Sequence, residues 1–139
     1  MKIKYVYHGS SKKLNILKTK RAKGGILKDK LNGVYATHEM KSAIMMGLLS
    51  GKGIKGSSFH ETNNKMHGII YRGGLKNRVF YVYFLSPKTF KKIDSWQWVS
   101  KEEVKPIKVK KLFIKDYKSW IRKATKEEKE RWLKKYENK

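Results

Sequence analysis

At 139 residues, with 35 Lys and Arg against 11 Asp and Glu, the chain has the length of one domain and a formal charge of +24. It has no cysteine, which excludes a disulfide framework and thiolate chemistry. No apolar run is long enough to cross a bilayer, and Met1-Lys2-Ile3-Lys4-Tyr5 alternates where a signal peptide would be continuously apolar, so a cytoplasmic protein without membrane association is expected, its oligomeric state open.

In chain order, residues 2–8 alternate as a strand, and a basic, Gly-containing connection runs through Lys30. A short strand at 33–37 leads into a helix from about His38 to Leu49, with Met40, Ala43, Ile44 and Leu48 roughly at helical spacing. Residues 50–67 are rich in Gly, Ser and Asn and read as a mobile loop. Strands are expected at about 68–72, 78–85 and 88–93, and again at Trp96-Gln97-Trp98-Val99. A closing strand from Lys105 to Ile114 would turn Ile107, Val109 and Leu112 inward. The C-terminal segment, about 115–137, changes to helical chemistry: Thr125-Lys-Glu-Glu128 is a capping-box pattern, and Trp132, Leu133 and Tyr136 form a stripe expected to dock on the domain's own sheet. The whole of 1–139 reads as one α+β domain.

Before Lys115 there are 25 basic and 6 acidic residues, so +19 belongs to the body and not to a tail. Such an excess favours an anionic partner: nucleic acid, a dinucleotide or an acidic protein surface. The competing explanation is a lysine-rich composition carried on solvated faces. A selected binding surface would cluster its cations around a cleft, the candidates being Lys12, Lys13, Lys20, Arg21 and Lys23 with Lys52 and Lys55.

Two short segments carry the most chemistry. Tyr7-His8-Gly9-Ser10 ends the first strand with a polar ring beside a residue lacking Cβ, and Gly33-Val34-Tyr35-Ala36-Thr37 sets a second ring among small residues. In this order, with Lys41-Ser42-Ala43 on the following helix and Trp96-Gln97-Trp98-Val99-Ser100 before the closing strand, they resemble the nicotinamide pocket of the ADP-ribosyltransferase superfamily. The resemblance is to its His-Tyr-Glu branch (diphtheria-type toxins and poly(ADP-ribose) polymerases), in a small bacterial or phage form. It covers residues 3 to 112 in order and spacing, with few identities.

The resemblance implies two packed, mainly antiparallel sheets with a few helices and NAD bound as substrate between them. It implies that His8 bonds the adenosine ribose, that Gly9 offers its backbone to the nicotinamide amide with Ser10 beside it, and that Tyr35 stacks on the nicotinamide ring. Ser42 joins the NAD-binding set, although Ile44-Met45-Met46 stands where the polymerases carry a second stacking tyrosine. The late-strand glutamate is matched by Gln97, so the catalytic set would be His8, Tyr35 and Gln97. A glutamine holds a ribose hydroxyl but brings no negative charge. Glu102 and Glu103 lie nearby, but Ser100-x-x-Glu103 is itself a capping pattern, so both are expected to be structural or solvated.

The implied activity is transfer of ADP-ribose from NAD to a macromolecular acceptor, nucleic acid or an acidic protein. A noncatalytic module of the same fold and an NAD-hydrolysing toxin are the alternatives. Other chemistries lack their residues: His8, His38, His60 and His67 do not have metal-ligand spacing, Gly51 to Gly56 lacks the Lys-Ser/Thr ending of a phosphate loop, and no serine–histidine–acid set can be assembled.

Overall fold

The computed structural model describes residues 3–21 and 32–136. The larger sheet is built from β1 (Val6–Ser10), β3 (Asn32–Thr37), β6 (Val79–Leu85), β7 (Phe90–Lys92), β8 (Gln97–Ser100) and β9 (Lys108–Phe113), in the order β7-β8-β3-β1-β6-β9. A short β2 (Lys20–Arg21) joins the start of β3, and every pairing in this sheet is antiparallel. The smaller sheet has the order β10-β5-β4, from β4 (Ile54–Thr62), β5 (Lys65–Gly73) and β10 (Ile121–Lys123), with β10 parallel to β5. Two α-helices are described, α1 (Met40–Leu48) and α2 (Lys126–Tyr136). The architecture is therefore α+β with two mostly antiparallel sheets.

The strand β6, Val-Phe-Tyr-Val-Tyr-Phe-Leu, is apolar or aromatic at every position because a core lies against each of its faces, although Val79, Tyr81 and Phe84 are only half-buried. Phe80 and Val82 join Ala43, Ile44, Met45 and Leu48 of α1 in one core, which Met66 of β5 closes from the smaller sheet. Tyr83 and Leu85 point the other way into a second core with Val6, Leu17, Val34, Ala36, Phe90 and Val104. Thus α1 packs on β1 on one side and reaches the smaller sheet on the other, where Met45 abuts Gly68. The sheets do not simply meet face to face.

Two expectations about the strands need correction. Residues 50–67 hold most of a long hairpin: β4 and β5 pair from Ile54 to Gly73 around Asn63-Asn64, both at positive φ (53° and 64°). Asn tolerates that left-handed conformation, so the polar pair is the turn itself. The closing strand β9 buries Leu112 only; Ile107 is 59% exposed and Val109 45%. Val109 pairs with Tyr83 and so takes the face of the second core, not that of Leu112, but on the edge strand β9 it lies beyond that core's reach. Glu102 and Glu103 are exposed, in keeping with the solvated role expected of them, and the buried Ser100 hydroxyl accepts from the Glu102 N–H and bonds Thr89.

At the C-terminal end a 3₁₀ turn, Ile114–Trp120, and the strand β10 precede α2, so the segment is not helical throughout. The capping box forms: Thr125 Oγ1 accepts from Glu128 N, and the Glu128 carboxylate accepts from Thr125 N. Trp132 docks on the smaller sheet, stacked on Tyr71 at 5.5 Å over Gly56, where a Cβ would strike its ring. The Tyr136 side chain lies outside the described residues. Among the described residues no helix is long and apolar enough to cross a membrane.

Candidate functional site

His8, Tyr35 and Gln97 come to lie on three neighbouring strands, β1, β3 and β8. The ladder between β1 and β3 has one registered pair, Tyr7 with Thr37, although both strands continue past it. Past that pair the His8 ring takes over: its Nδ1 lies 2.6 Å from the Tyr35 carbonyl oxygen. A carbonyl only accepts, so Nδ1 carries the proton, and in the neutral ring Nε2 is an acceptor. The two motifs therefore meet through a side chain to main-chain bond, the common arrangement for a histidine in a strand.

Alternation along the strands assigns the faces. Tyr7 opposes Thr37, and Thr37 opposes Gln97, so Thr37, Tyr35 and Gln97 share the face on which α1 lies. Gly9 shares it too, because a Cβ there would collide with the Ala43 carbonyl and the Gly47 N–H of α1. The absence of a side chain at position 9 is thus explained by the close approach of a helix, whatever ligand the backbone meets. His8 and Ser10 alternate to the opposite face: His8 opposes Tyr83 at 6.4 Å between ring centroids, and Ser10 Oγ accepts from Lys12 N in a turn. The six residues hence divide into Gly9, Tyr35 and Gln97 with α1, which carries the buried Ser42, and His8 with Ser10 behind them.

The surroundings of Gln97 were not legible beforehand. Asp94 Oδ1 accepts from both Trp96 N (3.0 Å) and Gln97 N (2.8 Å), an Asx turn that launches β8. Trp96 meets Phe59 of the hairpin edge-on at 5.9 Å, so β4 borders this end of the face. Trp98 lies on the other face against the second core, and its Nε1 donates to His38 Nδ1 at 3.0 Å. Lys41, beside Ser42, bonds Glu61 and the Asn64 carbonyl, both at 2.9 Å, and fastens α1 to the hairpin tip. The Asp94-Ser95 pair before an alternating run was the available signal for the turn. Nothing local marked Phe59 or Glu61.

Among the candidate cations, Lys12, Lys13, Lys52 and Lys55 are exposed. The Ser11 N–H donates to Ser50 Oγ at 2.9 Å, which brings the segment of Lys12 and Lys13 to that of Lys52. Lys23 and the side chains of Lys20 and Arg21 lie outside the described residues. Compared with known protein families, curated proteins and solved structures, the chain matches none.

Proposed function

We propose that the chain is an ADP-ribosyltransferase-type domain with NAD as substrate, the nicotinamide end of which meets Gly9, Tyr35, Ser42 and Gln97. The observation that supports this reading best is convergence. Segments far apart in sequence become adjacent strands, and His8 and Tyr35, separated by 27 residues, are joined by a direct hydrogen bond. In this reading His8, from the opposite face of the sheet, holds β1 and β3 at a fixed opening through its bond to the Tyr35 main chain. Tyr35 offers its ring to the nicotinamide, and Gln97 orients the ribose.

The reaction breaks the C–N bond between nicotinamide and ribose. Nicotinamide leaves with the bonding electron pair, the acceptor's nucleophilic atom bonds the anomeric carbon, and the acceptor's proton is released to solvent. Positive charge grows on the ribose in the transition state, where a carboxylate would help most. A charge-assisted hydrogen bond is roughly twice as strong as a neutral one, so Gln97 favours binding over turnover. The same neutral residue supports the second reading, a noncatalytic module of this architecture that binds a polyanion or a protein.

Incubation with NAD labelled in its ADP-ribose half separates the readings. Label on protein, DNA or RNA with nicotinamide release is the expected result. Release without labelling would mean NAD hydrolysis, and no release at all would leave the noncatalytic module. We expect Gln97→Glu to raise nicotinamide release by about tenfold, while NAD affinity stays within a few-fold, because the added charge acts where cationic charge develops. A substitution without kinetic effect in an active protein would remove Gln97 from the site.

A further inference from the structure

One transverse row of the larger sheet continues well beyond the candidate site. Gln97 opposes Thr37, Thr37 opposes Tyr7, Tyr7 opposes Phe84, and Phe84 opposes Lys108, so the five residues cross β8, β3, β1, β6 and the edge strand β9 on one face. At its far end the row carries an aromatic cluster. Phe84 meets Tyr7 edge-on at 5.1 Å and Tyr5 at 5.5 Å, and all three rings are only half-buried. Lysines flank it: Lys108 Nζ stands 5.2 Å from the Phe84 ring centre and Lys4 Nζ 5.4 Å from that of Tyr5, and both lysines are exposed.

Half-open rings on a sheet, edged by cations, are the two components that hold single-stranded nucleic acid. Bases stack on the rings, which is tolerant of sequence, and the cations neutralise phosphates. We propose that this aromatic and lysine end of the row is a binding surface for single-stranded nucleic acid. Charge complementarity favours this occupant, because the body carrying the row has +19 over residues 1–114. A duplex hides its base faces and cannot use the rings. Neighbouring strands lie about 4.8 Å apart, so Phe84 and Gln97, three spacings apart, are separated by roughly 14 Å, within reach of a short single strand. Binding stands by itself; only the use of the strand as ADP-ribose acceptor rests on the transfer reading.

The test is fluorescence anisotropy with labelled oligothymidylate, and with a duplex of equal length, in the absence of NAD. Failure here leaves the transfer reading untouched, and failure of NAD cleavage leaves this one untouched. We expect the single strand to bind more tightly than the duplex. Lys4→Gln with Lys108→Gln should lower the salt slope by about 1.4, at about 0.7 per phosphate contact. Lys91→Gln with Lys92→Gln, on β7 at the opposite edge of the sheet, should leave the slope unchanged. Tyr5→Leu with Phe84→Leu should weaken single-strand binding about tenfold in protein that remains folded, since base stacking on the two rings is lost. Equal losses from the two lysine pairs, duplex binding as tight as single-strand binding, or folded aromatic variants with full affinity would each overturn the proposal. If the aromatic variants do not fold, the lysine pairs, which are exposed, decide it alone.

Discussion

Tyr83 shows how a residue with no motif around it can organise its neighbourhood. It is fully buried, and its hydroxyl donates to the Lys12 carbonyl at 2.7 Å and accepts from the Leu14 N–H at 2.6 Å. That pair of bonds holds the start of the first connection over the second core. Burial pushes the phenol above its ordinary range, more than the Leu14 bond lowers it, with the nearby Tyr81 adding to the rise. A raised folded value means that this contribution to stability is complete below the unfolded phenol's pKa, near 10, and is lost as pH rises through the folded value. Tyr83→Phe should cost about 1–3 kcal/mol in urea unfolding at neutral pH, because it leaves a donor and an acceptor without their shared partner. Unchanged stability would show that the turn at Lys12–Leu14 holds without the hydroxyl. His8 and Gly9 carry a similar lesson. Their neighbours in sequence suggested a ligand, and the distances add two structural duties, a bond to the Tyr35 carbonyl and room for α1.

The element most fully written in local sequence is α2. The capping box Thr125 to Glu128 forms as its spacing predicts, because every partner lies within one helical turn. What it is tied to was not readable: Arg122 on β10 grips Glu128 through two bonds of 2.7 Å, and Trp132 lies flat on Tyr71. The Arg122 guanidinium, helped by the Thr125 N–H, draws the Glu128 carboxyl down to about 2. A lowered folded value gives stabilisation present above the unfolded pKa and lost as pH falls through the folded one. The docking of α2 should therefore loosen between about pH 4.5 and 2, the ordinary and the folded values. Tryptophan emission followed through an acid titration should show this step, and Glu128→Gln should remove it. A step that persists in the variant would place its origin elsewhere. The hairpin of β4 and β5 is the opposite case. Its Gly, Ser and Asn content reads as a loop, and it becomes a strand pair because β5 also pairs with β10 and its Met66 fills the core under α1.

For the molecule as a whole, charge is the dominant quantity. With 35 basic residues against 11 acidic, the folded state concentrates like charges that the unfolded chain would spread apart. Added salt shortens the screening length to about 10 Å at 0.1 M, which relieves this repulsion more than it weakens the exposed ion pairs Lys41–Glu61 and Arg122–Glu128. The midpoint of thermal unfolding should therefore rise from low to moderate sodium chloride. A fall would mean that attraction between opposite charges outweighs the excess. The same charge would favour polyanions whatever the function, so where on the surface such affinity resides is the informative measurement.

By itself the sequence determined what short-range chemistry controls: the alternation that makes β1, β6 and β8, the helix near residues 40–48, the cap of α2 and the overall positive charge. It also determined which residues are chemically apt, and in what order they occur along the chain. Tertiary structure alone decided which of them face one another. A strand's period of two makes face assignment depend on register, and register is set by partners distant in sequence. For that reason Tyr35 and Gln97 fall on the α1 face and His8 behind it, and Leu112 joins the core under α1 while Val109 falls on the Tyr83 face at an edge that the second core does not cover. The row from Gln97 to Lys108 exists only once β8, β3, β1, β6 and β9 lie side by side, since its five residues are neighbours through pairing and not through the chain.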